Sequence, residues 1–162
     1  MKTELLKLYQ KFRKHSPFML VGHNARLALS SAKTLMEFRQ LESNGLVRMR
    51  CEPETENYFD VYGEPEPRRG QTQKQANAEL EAILERDGVW WTVAEWFDGE
   101  EWKQADSCGM HAGYSDPLSP FENCYVIQEM QSAIDALREH QAETEAESAE
   151  SMRCACADIA TV

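Results

Sequence analysis

The stretch Val89–Ser107, "VWWTVAEWFDGEEWKQADS", constrains this chain more tightly than any other part of it. Two runs rich in aromatic and β-branched residues alternate apolar with polar, and Asp98-Gly99 stands between them. Asp-Gly inside such a pattern is a strong hairpin signal, because glycine accepts the positive φ that a tight turn demands. A lone hairpin is marginal in water and needs a second layer over its apolar face. Residues 123–140 can supply that layer: Val126, Ile127, Met130, Ala133, Ile134 and Leu137 recur at helical spacing. Alternation sends Trp90 and Trp96 to one sheet face and Trp91 to the other, so one face is expected to cover this helix. Ser119-Pro120-Phe121-Glu122 has the form of a capping box at the helix start.

The N-terminal part alternates differently. In "TELLKLYQKF", Leu5, Leu8, Tyr9 and Phe12 share one helical face, with Lys7, Lys11 and Lys14 opposite. Ser16-Pro17 is expected to end this helix. A short helix over residues 24–29 is expected next, then a third opened by Ser30 or Ser31, with Leu35, Phe38 and Leu41 buried and Asn44-Gly45 as its stop. "LVRMRC" and "NYFDVY" alternate with period two and are expected to pair as a hairpin across "EPETE". "EPEPRRGQTQ" reads as a linker. A helix through Ala76, Leu80, Ile83 and Leu84 follows and ends at Asp87-Gly88. From Ala142 the chain is acidic and poor in apolar residues, the composition of a frayed or disordered tail.

Three helices followed by a hairpin is the order of a winged helix-turn-helix. The stretch Leu29–Arg50, "LSSAKTLMEFRQLESNGLVRMR", resembles bacterial winged-helix repressors. The resemblance rests on Leu29-Ser30, Leu41-Glu42 and Gly45-Leu46-Val47 at the family's separation, and covers roughly residues 3–66. It implies a recognition helix that presents Ser31, Lys33, Met36, Arg39 and Gln40 to base edges. It also implies phosphate contacts by Arg48 and Arg50 on the wing and by Lys11, Arg13 and Lys14. Thr34 and Glu37 stand where the family buries apolar residues, and the wing tip carries Glu52, Glu54 and Glu56.

Charge separates the two ends of the chain. Residues 1–50 hold ten Lys/Arg and three Asp/Glu, a balance of +7; residues 51–70 balance at -4 and residues 71–162 at -14, for a net -11. A basic end suits double-stranded DNA and an acidic end repels it, unless the acidic end imitates it. Trp91, Trp96 and Trp102 with Asp98, Glu100 and Glu101 form the candidate surface for a protein partner, since tryptophan is enriched at interface hot spots.

Cys108 and His111 lie three apart, with Cys124 beyond. A thiol beside an imidazole can be a nucleophile pair or half of a zinc site. The second ligand pair of a structural zinc site is missing, so no catalytic residue, metal or cofactor is assigned. Five cysteines without a regular framework read as free thiols. No apolar run approaches a membrane span and the N-terminus lacks a signal peptide's apolar core, which makes the cytoplasm the expected location.

The expected architecture is therefore α+β: a winged-helix domain at 1–66, a linker and connecting helix at 67–87, a small acidic hairpin-and-helix module at 88–141, and an acidic tail at 142–162. The expected function is that of a non-enzymatic, sequence-specific DNA-binding regulator, dimeric through the helix at 73–86 or that at 123–140. The alternative is an acidic inhibitor that mimics DNA and occupies a host protein.

Overall fold

The computed structural model describes residues 2–15 and 24–159. Along the chain run helix α1 (Lys2–His15), helix α2 (Ala25–Ser43), strand β1 (Val47–Pro53), helix α3 (Tyr58–Tyr62), helix α4 (Gln73–Asp87), strands β2 (Val89–Phe97) and β3 (Trp102–Ala112), and helix α5 (Tyr125–Ile159). The architecture is α+β: an antiparallel sheet in the order β1-β2-β3, with helices packed against it. Among the described residues no helix is long and apolar enough to cross a membrane.

The hairpin at Asp98-Gly99 forms as its sequence implies. The Asp98 carboxylate accepts the backbone N–H groups of Glu100 and Glu101, and Gly99 takes φ +105°. The stripe on α5 also forms: Val126, Met130, Ala133, Ile134 and Leu137 are buried, and Ile127 packs at the margin. Trp96 faces this helix, with its ring 4.9 Å from that of His140, while Trp91 lies on the opposite face. α4 ends at Gly88 and opens with a capping box formed by Thr72 and Gln75.

Three elements differ from expectation. First, "NYFDVY" is helix α3 rather than a strand. Asn57 caps it by accepting the Phe59 N–H, and Tyr58 meets Tyr62 one turn on at 4.9 Å. In so short a run the two periods are hard to tell apart. β1 therefore pairs not with a neighbour in sequence but with β2, Val47 opposite Trp96 and Pro53 opposite Trp90. Second, α2 is one uninterrupted helix, capped by Asn24, with no break at Ser30 or Ser31. Serine is tolerated inside a helix whose neighbours are good helix formers. Third, the acidic tail continues α5 in helical form to Ile159. The expected helix end at Ser16-Pro17 lies outside the described residues.

The start of α5 differs too. Glu122 does not complete a capping box; its carboxylate accepts from Ser115 Oγ and from the Asp116 N–H instead. Asn123, fully buried, accepts the Tyr125 N–H and donates to the Pro117 carbonyl.

One core joins the segments expected to be separate. Leu8 and Phe12 of α1, Ala32, Leu35 and Phe38 of α2, Val47 of β1, Ala94 of β2 and the α5 stripe form a single cluster. The two polar departures from the winged-helix pattern are explained here. Thr34 donates to Gln131 at 2.7 Å, and Glu37 pairs with Arg138, so both face α5. The apolar stripe of the 123–140 segment is spent on this core.

Phe12 ties α1 to the turn before α5 through its ring contact with Phe121, centroids 4.6 Å apart. Phe12→Ala is expected to destabilise the whole fold by about 3–5 kcal/mol. Chemical denaturation followed by tryptophan fluorescence, which reports the sheet, checks this: one cooperative transition shifts, because α1 shares the sheet's core.

Candidate functional site

The sheet has two unlike faces. On the face away from α5, cross-strand register places Arg48 opposite Glu95, Arg50 opposite Val93, and Glu52 opposite Trp91. Glu95 is only 6% exposed. Both arginines of β1 converge on it: Arg48 Nε lies 2.5 Å and Arg50 Nε 2.9 Å from Oε2, and Arg50 Nη2 lies 3.0 Å from Oε1. Arg50 also meets Glu52, and the Arg48 guanidinium stacks over Trp102 at 4.1 Å. Burial raises the Glu95 carboxyl pKa, but the hydrogen bonds and charges of Arg50 and Arg48 outweigh burial and hold it below its ordinary value. The two guanidinium groups are thus engaged by a carboxylate that needs them.

The face toward α5 carries a buried polar rung. Cys51, Thr92 and Cys108 stand side by side on β1, β2 and β3. His111 joins them because of a bulge. Between the pairs Trp90–His111 and Thr92–Cys108, β3 holds one residue more than β2. In an unbroken strand, residues three apart point to opposite faces; the extra residue turns His111 to the face of Cys108. β3 thus runs on through a segment that reads as a loop in the sequence.

Glu129 of α5 reaches the rung. The Thr92 hydroxyl donates to Glu129 Oε1 at 2.8 Å and lies 3.0 Å from His111 Nε2. Thr92 is fully buried, His111 is 4% exposed and Glu129 2% exposed. A hydroxyl has one proton, so when Thr92 donates to the carboxylate it accepts from the ring N–H. Glu129 Oε2 is buried without a hydrogen-bond partner among the described residues. Burial pushes the Glu129 carboxyl up to about 7, against the Thr92 hydrogen bond that favours the charged form. Burial likewise lowers the His111 pKa, against a hydrogen bond with the Cys108 backbone, and raises that of the Cys108 thiol. Tyr114 and Tyr125 flank His111, their ring centroids 6.0 and 5.9 Å away.

The other residues singled out from the sequence are dispersed. On α2, Lys33, Arg39 and Gln40 are exposed, Ser31 is half-buried, and Met36 packs against the core. Lys11, Arg13 and Lys14 of α1 are exposed. Lys11 and Arg39 both line a cavity of about 340 Å³, with Glu42 and Asp116; Lys11 lies over the Phe121 ring. Arg48 and Arg50 belong to the far sheet face. Of the candidate partner surface, Trp91 is exposed, Trp96 is half-buried under α5, and Trp102 lies beneath Arg48. Asp98 is held in its turn with Lys103 nearby, while Glu100 and Glu101 are exposed at the tip.

Thr92 carries no signal of its own in the sequence. Glu129 interrupts the apolar pattern next to Met130, and a carboxylate beside a buried stripe was the clue available. Comparison with protein-family models, with curated proteins and with solved structures gives no match.

Two variants test these two faces. Thr92→Val keeps the shape but leaves His111 and Glu129 Oε1 without their hydroxyl. The expected cost is about 2–3 kcal/mol, read as a fall in Tm of roughly 5–10 °C. Glu95→Gln removes the arginines' shared partner. A carboxylate with a lowered pKa contributes stability above its unfolded value and loses it as pH falls through the folded one. The expected cost is therefore about 2 kcal/mol at pH 7, moderated because both arginines keep over a third of their surface in water. The gap from the parent protein narrows as pH falls below 4.5 toward the lowered folded value, which denaturation at pH 7 and at successively lower pH measures.

Proposed function

We propose that this is a non-catalytic binding protein that presents an acidic helix to a basic surface on a partner protein, in the manner of a DNA mimic. The observation that carries this reading is the outer half of α5. Between Arg138 and Arg153 it holds five glutamates and no Lys or Arg, and residues 141–148 are all exposed. Glu139, Glu143 and Glu147 follow one another at i, i+4 spacing. Like charges so placed destabilise a helix by about 0.2–0.5 kcal/mol per pair. Among the described residues no cation pairs with Glu139, Glu143, Glu145 or Glu147. A row of carboxylates on a rigid rod offers a cationic groove what a phosphate backbone offers it, a line of negative charge.

The arrangement of the basic residues supports the same reading over DNA contact by this chain. A winged helix needs its wing and recognition helix to offer cations together. Here Arg48 and Arg50 are engaged by Glu95, and "NYFDVY" does not pair with β1 to make the wing. What favours DNA contact is the exposed group Lys11, Arg13, Lys14, Lys33 and Arg39 on α1 and α2.

The experiment that separates the two readings is a gel shift with random duplex DNA at 50 and 200 mM salt, paired with capture from a bacterial lysate. The chain is expected to leave the duplex unshifted. It is expected to retain basic nucleic-acid-binding proteins, which added duplex DNA releases and which a chain ending at Gln141 no longer retains. A shift with a steep salt dependence assigns the chain to the DNA-binding class and overturns the mimic. So does capture that survives removal of residues 142–162.

A further inference from the structure

The buried rung has a use that the acidic helix does not touch. Cys108, His111 and Glu129 offer a sulfur, a ring nitrogen and a carboxylate oxygen that all lie within 4.8 Å of one another. These are the three ligand types that zinc and its first-row neighbours accept. A tetrahedral zinc with bonds of about 2.0–2.3 Å sets its ligand atoms roughly 3.3–3.7 Å apart. Closing the cluster by about 1 Å is within reach of side-chain rotation, since each ligand comes from a different turn of backbone: the strand before the bulge, the strand after it, and α5.

Proximity alone does not make a metal site, and a second observation points to a ligand. Glu129 is 2% exposed; one oxygen is held by Thr92 and the other, Oε2, has no hydrogen-bond partner among the described residues. An unsatisfied carboxylate oxygen in the interior costs free energy comparable to a lost hydrogen bond or more. A cation satisfies it. The surroundings also resemble an outer shell: the Thr92 hydroxyl fixes the carboxylate and contacts the imidazole, which restricts ligand orientation before any ion arrives. Cys108 is half-buried rather than sealed, and Tyr125 beside the site is 45% exposed.

We propose that Cys108, His111 and Glu129 bind one divalent first-row transition cation, with three protein ligands and a fourth position left to water or a further donor. On binding, the Cys108 thiol and a protonated Glu129 give up their protons to solvent, so the ion meets a thiolate, a neutral imidazole and a carboxylate. Binding links β3 to α5 across the core and stabilises the fold by mass action. The bulge is what makes the site, because without it Cys108 and His111 face opposite sides of the sheet.

The test uses the full chain, stripped with chelator and then titrated with Zn²⁺ by calorimetry and with Co²⁺ by absorption. The expected result is one equivalent of Zn²⁺ with a rise in Tm, and a Co²⁺ complex with a thiolate-to-metal charge-transfer band in the near ultraviolet. Cys108→Ser is expected to abolish that band. Glu129→Gln and His111→Gln are expected to weaken Zn²⁺ binding at least tenfold, with far-ultraviolet circular dichroism confirming that each variant folds. Cys51→Ser, Cys124→Ser and the double variant Cys154→Ser/Cys156→Ser are expected to keep the band. Absence of stoichiometric binding at micromolar Zn²⁺ overturns the site. So does a band that survives Cys108→Ser, or one that is lost with Cys154 and Cys156.

Discussion

Everything else in this fold depends on the burial of one stripe of α5. Val126, Met130, Ala133, Ile134 and Leu137 leave water together, and they do so against residues from α1, α2, β1 and β2 at once. At about 25 cal/mol per Å² of apolar surface, such side chains contribute roughly 1.5–3 kcal/mol each, which no local element here supplies alone. The strands are too few to be stable by themselves and α1 is too short. The helix near the C-terminus thus holds the N-terminal helices on the sheet, and the chain's two oppositely charged ends share one core.

That packing decides what the polar residues can do. Sharing a sheet with β2 brings Glu95 between Arg48 and Arg50, forty-five and more positions away in sequence. Two cations there stabilise a carboxylate that is almost out of water. On the other face, α5 drops Glu129 onto Thr92, and the bulge in β3 turns His111 to meet them. Buried polar groups persist when their partners are in place, and such networks raise the cost of local error. The interior of this protein is therefore chemically richer than its pattern of apolar residues suggests, while its outer helix is acidic and bare.

Much was legible where the physics is local. The β2–β3 hairpin followed from Asp98-Gly99 between alternating aromatic runs, and the α5 stripe from spacing alone. The ends of α2 and α4 followed from Gly45 and Gly88. Structure departs from local pattern where two periods compete or where a partner is distant. "NYFDVY" fits both a strand and one turn and a half of helix; it is a helix capped by Asn57, and β1 pairs with the distant β2. Ser30 and Ser31 could cap a helix but sit inside one, because Ala28, Ala32 and Leu35 continue the buried face of α2 through them. The Cys108–His111 pair was visible, but its third member on α5 was not.

By itself the sequence determined which segments bury a face, where the tight hairpin turns, and how charge divides between the two ends, since these follow from side-chain type and short-range spacing. Only the tertiary structure decided that β1 pairs with β2, that Arg48 and Arg50 converge on Glu95, and that Cys108, Thr92, His111 and Glu129 come together. Those outcomes depend on which distant surfaces fit when α5 closes over the sheet, and on one extra residue in β3 that reverses the direction of a side chain. Long-range register of that kind leaves no periodic trace in a single chain of letters.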